Sequence, residues 1–230
     1  MDHIEPSPIY LLAGGPGAGQ DRTEILLKRV IANTGVSRPA IAYVGAASGD
    51  NRPFFRMLSD ALGRCGAGEV RLVPTARPDR ARAVLEASDL VFISGGDVER
   101  GMRTLERHQA LPTLRSLHAQ GRPFFGISAG SIMLAGQWIA WSDPDDDASA
   151  RLFDCMGLAP VLCDTHGEAD GWEELTALLK RRPDGTVGHG IPSGAGLAVH
   201  PDGRLEPMGG PVHRYVRRGD EVIHMDDLAI

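Results

Sequence analysis

Residues 123–142 read PFFGISAGSIMLAGQWIAWS, an uncharged run of about the length that crosses a bilayer. Three glycines, four serine or glutamine side chains and a Ser128-Ala129-Gly130-Ser131 break in its middle argue against a membrane span. The pattern fits a short buried strand, Phe124–Ile127, turning sharply into a buried helix whose apolar part is Ile132–Ala135. Upstream, Ile9–Ala13, Ala40–Val44, Val70–Val73 and Leu90–Ser94 are further short apolar runs with strand character. Between them, Thr23–Thr34, Arg52–Cys65, Arg80–Ala87, Val98–Arg107 and Leu111–Gln120 have helical spacing, with Ile25, Leu26, Val30 and Ile31 marking one face. Repeated strand-helix alternation predicts the α/β class: a mostly parallel sheet between two helical layers, a three-layer α/β/α arrangement. In such sheets functional groups gather in loops at the carboxyl ends of the strands. That points to Gly14–Gln20, Gly45–Arg52, Gly95–Glu99 and the turn after Ile127.

Beyond residue 185 the pattern changes to Thr186–Ile191, Leu197–His200, Arg204–Met208, Val212–Val216 and Val222–Met225, separated by turns such as Pro201-Asp202-Gly203 and Arg218-Gly219-Asp220. These are expected to be antiparallel edge strands near the C-terminus. No linker-like stretch or internal repeat intervenes, so residues 1–230 read as a single domain. Apolar residues at 42% and charged residues at 23% suffice for a buried core and exclude intrinsic disorder. With 24 basic and 30 acidic side chains the net charge is −6, which disfavours nucleic acid as a partner. Cys65, Cys155 and Cys163 are odd in number and lack disulfide or zinc spacing, and the start MDHIEPSPIYLLAGG lacks the basic and apolar regions of a secretory signal. The expectation is a cytoplasmic protein without membrane association.

Gly126-Ile127-Ser128-Ala129-Gly130 is a G-x-S-x-G match in the one context that gives the pentapeptide meaning, after a strand and before a helix. A sharp strand-to-helix turn needs small residues on both sides, and the helix start directs N–H groups toward the serine. Ser128 is therefore the candidate nucleophile and the Ala129 N–H a candidate oxyanion donor. Serine needs a base. His166 ends the apolar run Val161-Leu162-Cys163 at an expected strand tip; His189 is the weaker rival, and the other histidines sit in polar or terminal surroundings. Asp143, in Trp141-Ser142-Asp143-Pro144, is the candidate acid that orients the imidazole. Gly95-Gly96-Asp97 follows the Leu90–Ser94 strand, so the Gly96 N–H is a second candidate oxyanion donor, while Asp97 either contacts substrate or caps the next helix.

With Gly95-Gly96-Asp97, Gly126-Ile127-Ser128-Ala129-Gly130, Trp141-Ser142-Asp143-Pro144, Asp164-Thr165-His166 and Gly190-Ile191-Pro192 in this order, the chain resembles the peptidase E and cyanophycinase family of serine peptidases. Met208-Gly209-Gly210-Pro211 and Gly219-Asp220-Glu221 extend the likeness almost to the end. The resemblance implies a class I glutamine amidotransferase-like fold, a nucleophile at Ser128, a base at His166, an acid at Asp143 and oxyanion N–H groups from Gly96 and Ala129. It also implies a small peptide or amide substrate and no cofactor or metal. Two departures stand out. Ser193 occupies the place of the family's glutamate in Gly190-Ile191-Pro192-Ser193, and the arginines that follow the histidine in aspartate-directed members are absent. Glu168, Asp170, Glu173 and Glu174 stand there instead, which predicts repulsion of an anionic side chain and a preference for neutral or basic substrates. Glu168 and Asp170 are accordingly candidate substrate contacts; the alternative is that these acids simply begin a helix over Trp172–Lys180.

Other chemistries fit less well. Gly14-Gly15-Pro16-Gly17-Ala18-Gly19 lacks the Gly-Lys-Ser/Thr ending of a phosphate loop, and Pro16 breaks a dinucleotide fingerprint. The alternation of Asp164, His166, Glu168 and Asp170 is too common a pattern to argue for metal. Glutamine amidotransfer uses a cysteine where this chain has Ser128, and lipase-like hydrolases place their histidine nearer the chain's end. A non-catalytic binding or regulatory protein on the same fold is the remaining alternative, and the sequence leaves the oligomeric state open, a homodimer included.

Overall fold

Side chains alternate across a strand, so a strand apolar at every position must be covered on both faces. The computed structural model describes residues 7–14, 20–143 and 146–230. Its first strands are β1 (Ile9–Leu12), β2 (Ile41–Val44), β3 (Val70–Leu72), β4 (Leu90–Ile93) and β5 (Phe124–Ile127). They are followed by β6 (Gln137–Trp141), β7 (Ala150–Asp154), β8 (Cys163–Thr165), β9 (Val187–Ile191), β10 (Gly196–Val199), β11 (Leu205–Met208), β12 (Val212–Arg218) and β13 (Glu221–Leu228). The main sheet runs β11-β10-β1-β5-β4-β2-β3, with β1 to β5 parallel and β10 and β11 antiparallel at one edge.

Tyr10, Leu12, Ile41, Tyr43, Leu90, Phe92 and Phe125 project to one face, where helices α1 (Gln20–Ala32) and α2 (Arg52–Arg64) cover them with Leu26, Leu27, Val30, Ile31 and Leu62. Phe92 stacks on Phe125 with centroids 4.5 Å apart, and Tyr43 meets Phe92 and Phe55 edge-on. Leu11, Val44, Val91, Ile93 and Phe124 project to the other face. There α3 (Pro78–Glu86), α4 (Val98–Arg107), α5 (Leu111–Ala119) and α6 (Ala129–Leu134) supply Leu85, Met102, Leu105, Leu114, Leu117 and Met133. This is the expected three-layer α/β/α arrangement.

The expectation for the C-terminal strands holds only in part. β10 and β11 join the main sheet, but β9, β12 and β13 form a second sheet with β8, in the order β13-β12-β9-β8. Helix α7 (Glu173–Lys180) packs Leu175, Leu178 and Leu179 against that sheet together with Trp172 and Ile139. A second difference concerns the opening stretch. Its helix lasts only from Ala129 to Leu134, after which Gln137–Trp141 pairs antiparallel with Ala150–Asp154 as a separate hairpin. An apolar run fits buried helix and buried strand alike, and here the partner strand decides. Among the described residues no helix is long and apolar enough to cross a membrane.

Candidate active site

Ser128 occupies the turn between β5 and α6 with φ 56° and ψ −126°, a backbone conformation that a residue with a Cβ rarely adopts. Its N–H donates to Leu12 O (2.8 Å), and its carbonyl accepts from Ser131 N–H (2.8 Å). The two flanking glycines are required sterically. A Cβ on Gly126 would lie 2.4 Å from the Gly130 carbonyl carbon, and one on Gly130 would lie 2.0 Å from Ile93 O. The pentapeptide therefore folds back tightly at Ser128. Gly95 reaches the same spot from β4, where a Cβ would lie 3.3 Å from the Ser128 Cβ. Gly96 has φ 143° and packs on the Ala47 carbonyl.

His166 comes from the second sheet. β8 and β9 are parallel with Thr165 opposite Ile191, so the residues just past those strands, His166 and Ser193, emerge side by side. The His166 N–H donates to Ile191 O (3.3 Å), and its Nδ1 lies 3.0 Å from Ser193 Oγ. The Ser193 N–H in turn donates to Glu168 Oε1. Partial burial opposes the charge of Glu168, but hydrogen bonds from the Ser193 backbone, its own N–H and the Ser193 hydroxyl outweigh it and hold the carboxyl below its ordinary range. Burial lowers the His166 pKa from its ordinary value, with the Glu168 charge pulling the other way. Ser128, His166, Ser193, Gly14, Gly95 and Gly96 all line one cleft of about 930 Å³ at the carboxyl ends of β1, β4 and β5.

Asp143 requires a correction. It is exposed, on the connection from β6 to β7, where its N–H donates to Ser149 Oγ (3.0 Å) and its carbonyl accepts from the Ser149 hydroxyl (2.8 Å). The contact the sequence assigns to it, at His166 Nδ1, is made by Ser193. That contact depends on strand pairing between distant segments, which spacing along the chain does not reveal. Asp97 is also reassigned: it caps α4, accepting from the Arg100 N–H (2.6 Å), and does not line the cleft. Asp170 likewise accepts from the N–H groups of Trp172 (2.9 Å) and Glu173 (3.3 Å), and Glu173 and Glu174 form the first turn of α7. Of the four acids after His166, only Glu168 turns toward the histidine, so the predicted electrostatic bias against anionic substrates rests on a carboxylate already engaged by Ser193.

His189 is buried in β9, with Nδ1 3.3 Å from Leu162 O, and burial drives its pKa down to about 4; it is a core residue. The three cysteines are buried and free, and burial pushes the Cys155 thiol up to about 12. Among the described residues, the one group of side chains with metal-ligating geometry is His213, His224 and Asp227 on β12 and β13, none of which lines the cleft. Residues 15–19, most of the glycine-rich loop read from the sequence, and Pro144 and Asp145 of the acidic stretch lie outside the described residues.

The comparisons with known proteins bear on the family and the fold. Peptidase E of Pasteurella multocida is 26% identical over 139 residues, which are 56% of this chain and 58% of that protein. The pyridoxal 5'-phosphate synthase subunit PdxT of Geobacillus kaustophilus is 26% identical over 147 residues, 60% of this chain and 66% of that protein. The chain thus spans 58% of the length of that peptidase E relative. Two crystal structures share the fold. A peptidase from an acI-B1 Actinobacterium superposes with a TM-score of 0.69 at 16% identity, covering 99% of this chain and 98% of that one. A putative peptidase E protein from Listeria monocytogenes EGD-e superposes with a TM-score of 0.61 at 14% identity, covering 88% of this chain and 98% of that one. The model of peptidase family S51 matches residues 9–204, from β1 through the Ser128 turn, His166 and Ser193, and the chain belongs to that family.

Proposed function

We propose that the protein is a serine peptidase that cleaves a peptide or related amide bond through an acyl-enzyme. The observation that carries this reading is Ser128 itself, held at positive φ in a strand-to-helix turn and facing a cleft that also holds His166. Strain of this kind persists where the surrounding structure over-determines it, as at an active site. The Ser128 Oγ attacks the substrate carbonyl carbon while His166 Nε2 takes the hydroxyl proton. The N–H groups of Gly96 and Ala129 stabilise the oxyanion. The tetrahedral intermediate collapses as the imidazolium proton passes to the leaving amine, and water repeats the sequence to release the acid and restore Ser128. No step needs a metal or organic cofactor.

Ser193 and Glu168 are the positioning residues. Neutral His166 donates Nδ1–H to Ser193 Oγ, and the Ser193 hydroxyl donates to the Glu168 carboxylate, leaving Nε2 as the acceptor that faces the nucleophile. The charge of Glu168 then stabilises the imidazolium through one intervening hydroxyl, the part that a carboxylate in direct contact plays in a Ser-His-Asp triad. Ser128→Ala is expected to abolish hydrolysis of a mixed dipeptide pool, followed by mass spectrometry, with an unchanged circular dichroism spectrum. Persistent hydrolysis in that variant contradicts the assignment.

A further inference from the structure

Helix α2 has more apolar faces than the core uses. Phe55, Leu58 and Leu62 turn to the sheet, where Phe55 meets Tyr43 at 5.0 Å. Phe54, Met57 and Ala61 recur at helical spacing on a second stripe that belongs to no core cluster, and Met57 is 55% exposed. Apolar surface left uncovered by folding marks a place for something else to bind. This stripe lines the cleft that holds Ser128 and His166, facing Leu27 of α1.

The charged groups of that wall are already occupied. Arg64 donates to Glu24 Oε1 from Nη2 (2.8 Å) and from Nε (3.1 Å), so cation and carboxylate face each other. Beside His166 the Glu168 carboxylate is bound by Ser193. Among the described lining residues, an acidic substrate side chain meets no unpaired cation and a basic one no unpaired acid, whereas an apolar side chain meets Leu27, Phe54, Met57 and Leu58. The cleft, about 930 Å³, has room for a dipeptide or larger ligand.

We propose that the α1–α2 wall beside Ser128 is a subsite for an aliphatic or aromatic side chain of the substrate. The assignment rests on Ser128 being the nucleophile, and it narrows the neutral or basic preference expected from the acids after His166 to an apolar one.

The test uses the purified full chain and two dipeptide series, Xaa-Ala and Ala-Xaa, with Phe, Leu, Ala, Asp or Lys as Xaa. In one of the series Phe or Leu is expected to exceed Ala, Asp and Lys at least tenfold in kcat/KM. The Phe54→Ser/Met57→Ser double variant is expected to lose most of that ratio. Met57→Ser alone, at a position already exposed, gives an intermediate ratio and serves if the double variant does not fold. The proposal is overturned if Asp or Lys peptides are cleaved fastest, if the ratio survives in both variants, or if no Phe or Leu peptide is cleaved. It is equally overturned if Met57→Ser changes the oligomeric state by light scattering and leaves the ratio intact, because the stripe is then covered by a second copy of the chain. A fluorophosphonate that labels Ser128 of the wild type while any of these occurs leaves the peptidase reading standing; absence of labelling removes both.

Discussion

At the scale of single residues, the activity proposed for this chain turns on how His166 is held. Removing the Glu168 charge tests this with two signs at once. Glu168→Gln takes away the group that raises the His166 pKa, so the acid limb of the kcat/KM profile, already below the ordinary histidine value because of burial, moves to still lower pH. The plateau falls roughly ten- to a hundredfold, as expected for losing a hydrogen-bond network to a charged group worth about 1.5–3 kcal/mol. Adding Ser193→Glu to Glu168→Gln puts a carboxylate directly on Nδ1 and is expected to restore the rate. A Glu168→Gln enzyme with an unmoved acid limb counts against the relay. Much of this machinery is legible in the sequence. Ser128 announces itself because the fold-back needs glycine at both Gly126 and Gly130, and the spacing of those residues is local. Ser193 does not, because only the pairing of Thr165 with Ile191 brings it to His166. Asp143 misleads for a related reason: an acid after an apolar run looks well placed until the end of that run proves to be half of a separate hairpin.

At the scale of elements, α2 divides its apolar residues between two tasks, and stability measurements separate them. Leu62 is 1% exposed in the core, so Leu62→Ala is expected to cost about 2–5 kcal/mol in urea unfolding. Met57→Ala, on the cleft stripe, is expected to change stability by no more than about 0.5 kcal/mol. Equal losses at the two positions contradict the division. The helix as a whole is legible, since its Asn51 cap accepts from the Phe54 N–H (2.9 Å) and Pro53 follows in the first turn. What the sequence hides is the use of the second stripe, because a periodicity that counts apolar residues does not say which of two faces meets a core. The run Gln137–Trp141 conceals its strand for a related reason: no alternation marks it, and its partner Ala150–Asp154 lies across a loop.

At the scale of the whole molecule, the proposed active site lies at the seam of two sheets, with Ser128 following a strand of the main one and His166 a strand of the smaller one. The smaller sheet carries two buried groups with opposite proton linkage. Burial, then the charge of Glu174, lifts Asp164 to about 7, and burial lowers His189 to about 4. The depressed histidine contributes stability that is present above its ordinary pKa of about 6.5 and lost as pH falls toward 4. The raised carboxyl contributes stability that is present at low pH and lost as pH rises through 7. The two offset each other between about pH 4 and 6.5. Asp164→Asn therefore leaves the histidine alone and is expected to make the protein roughly 2 kcal/mol less stable at pH 5 than at pH 8, while His189→Gln reverses the sign. Thermal melts of both variants at the two pH values check this, and parallel profiles refute it. This sheet was also the least legible part of the fold, since its strands come from both sides of α7.

The central claim is that Ser128 is an activated nucleophile. The most direct measurement is the intact mass of the protein after exposure to a small fluorophosphonate, with Ser128→Ala and His166→Ala alongside and the adduct mapped by peptide digestion. The account predicts one adduct, on Ser128, absent from Ser128→Ala and formed at least a hundredfold more slowly in His166→Ala, in line with the contribution of a general base. A folded wild-type protein that takes no adduct, or takes it at another residue, contradicts the account.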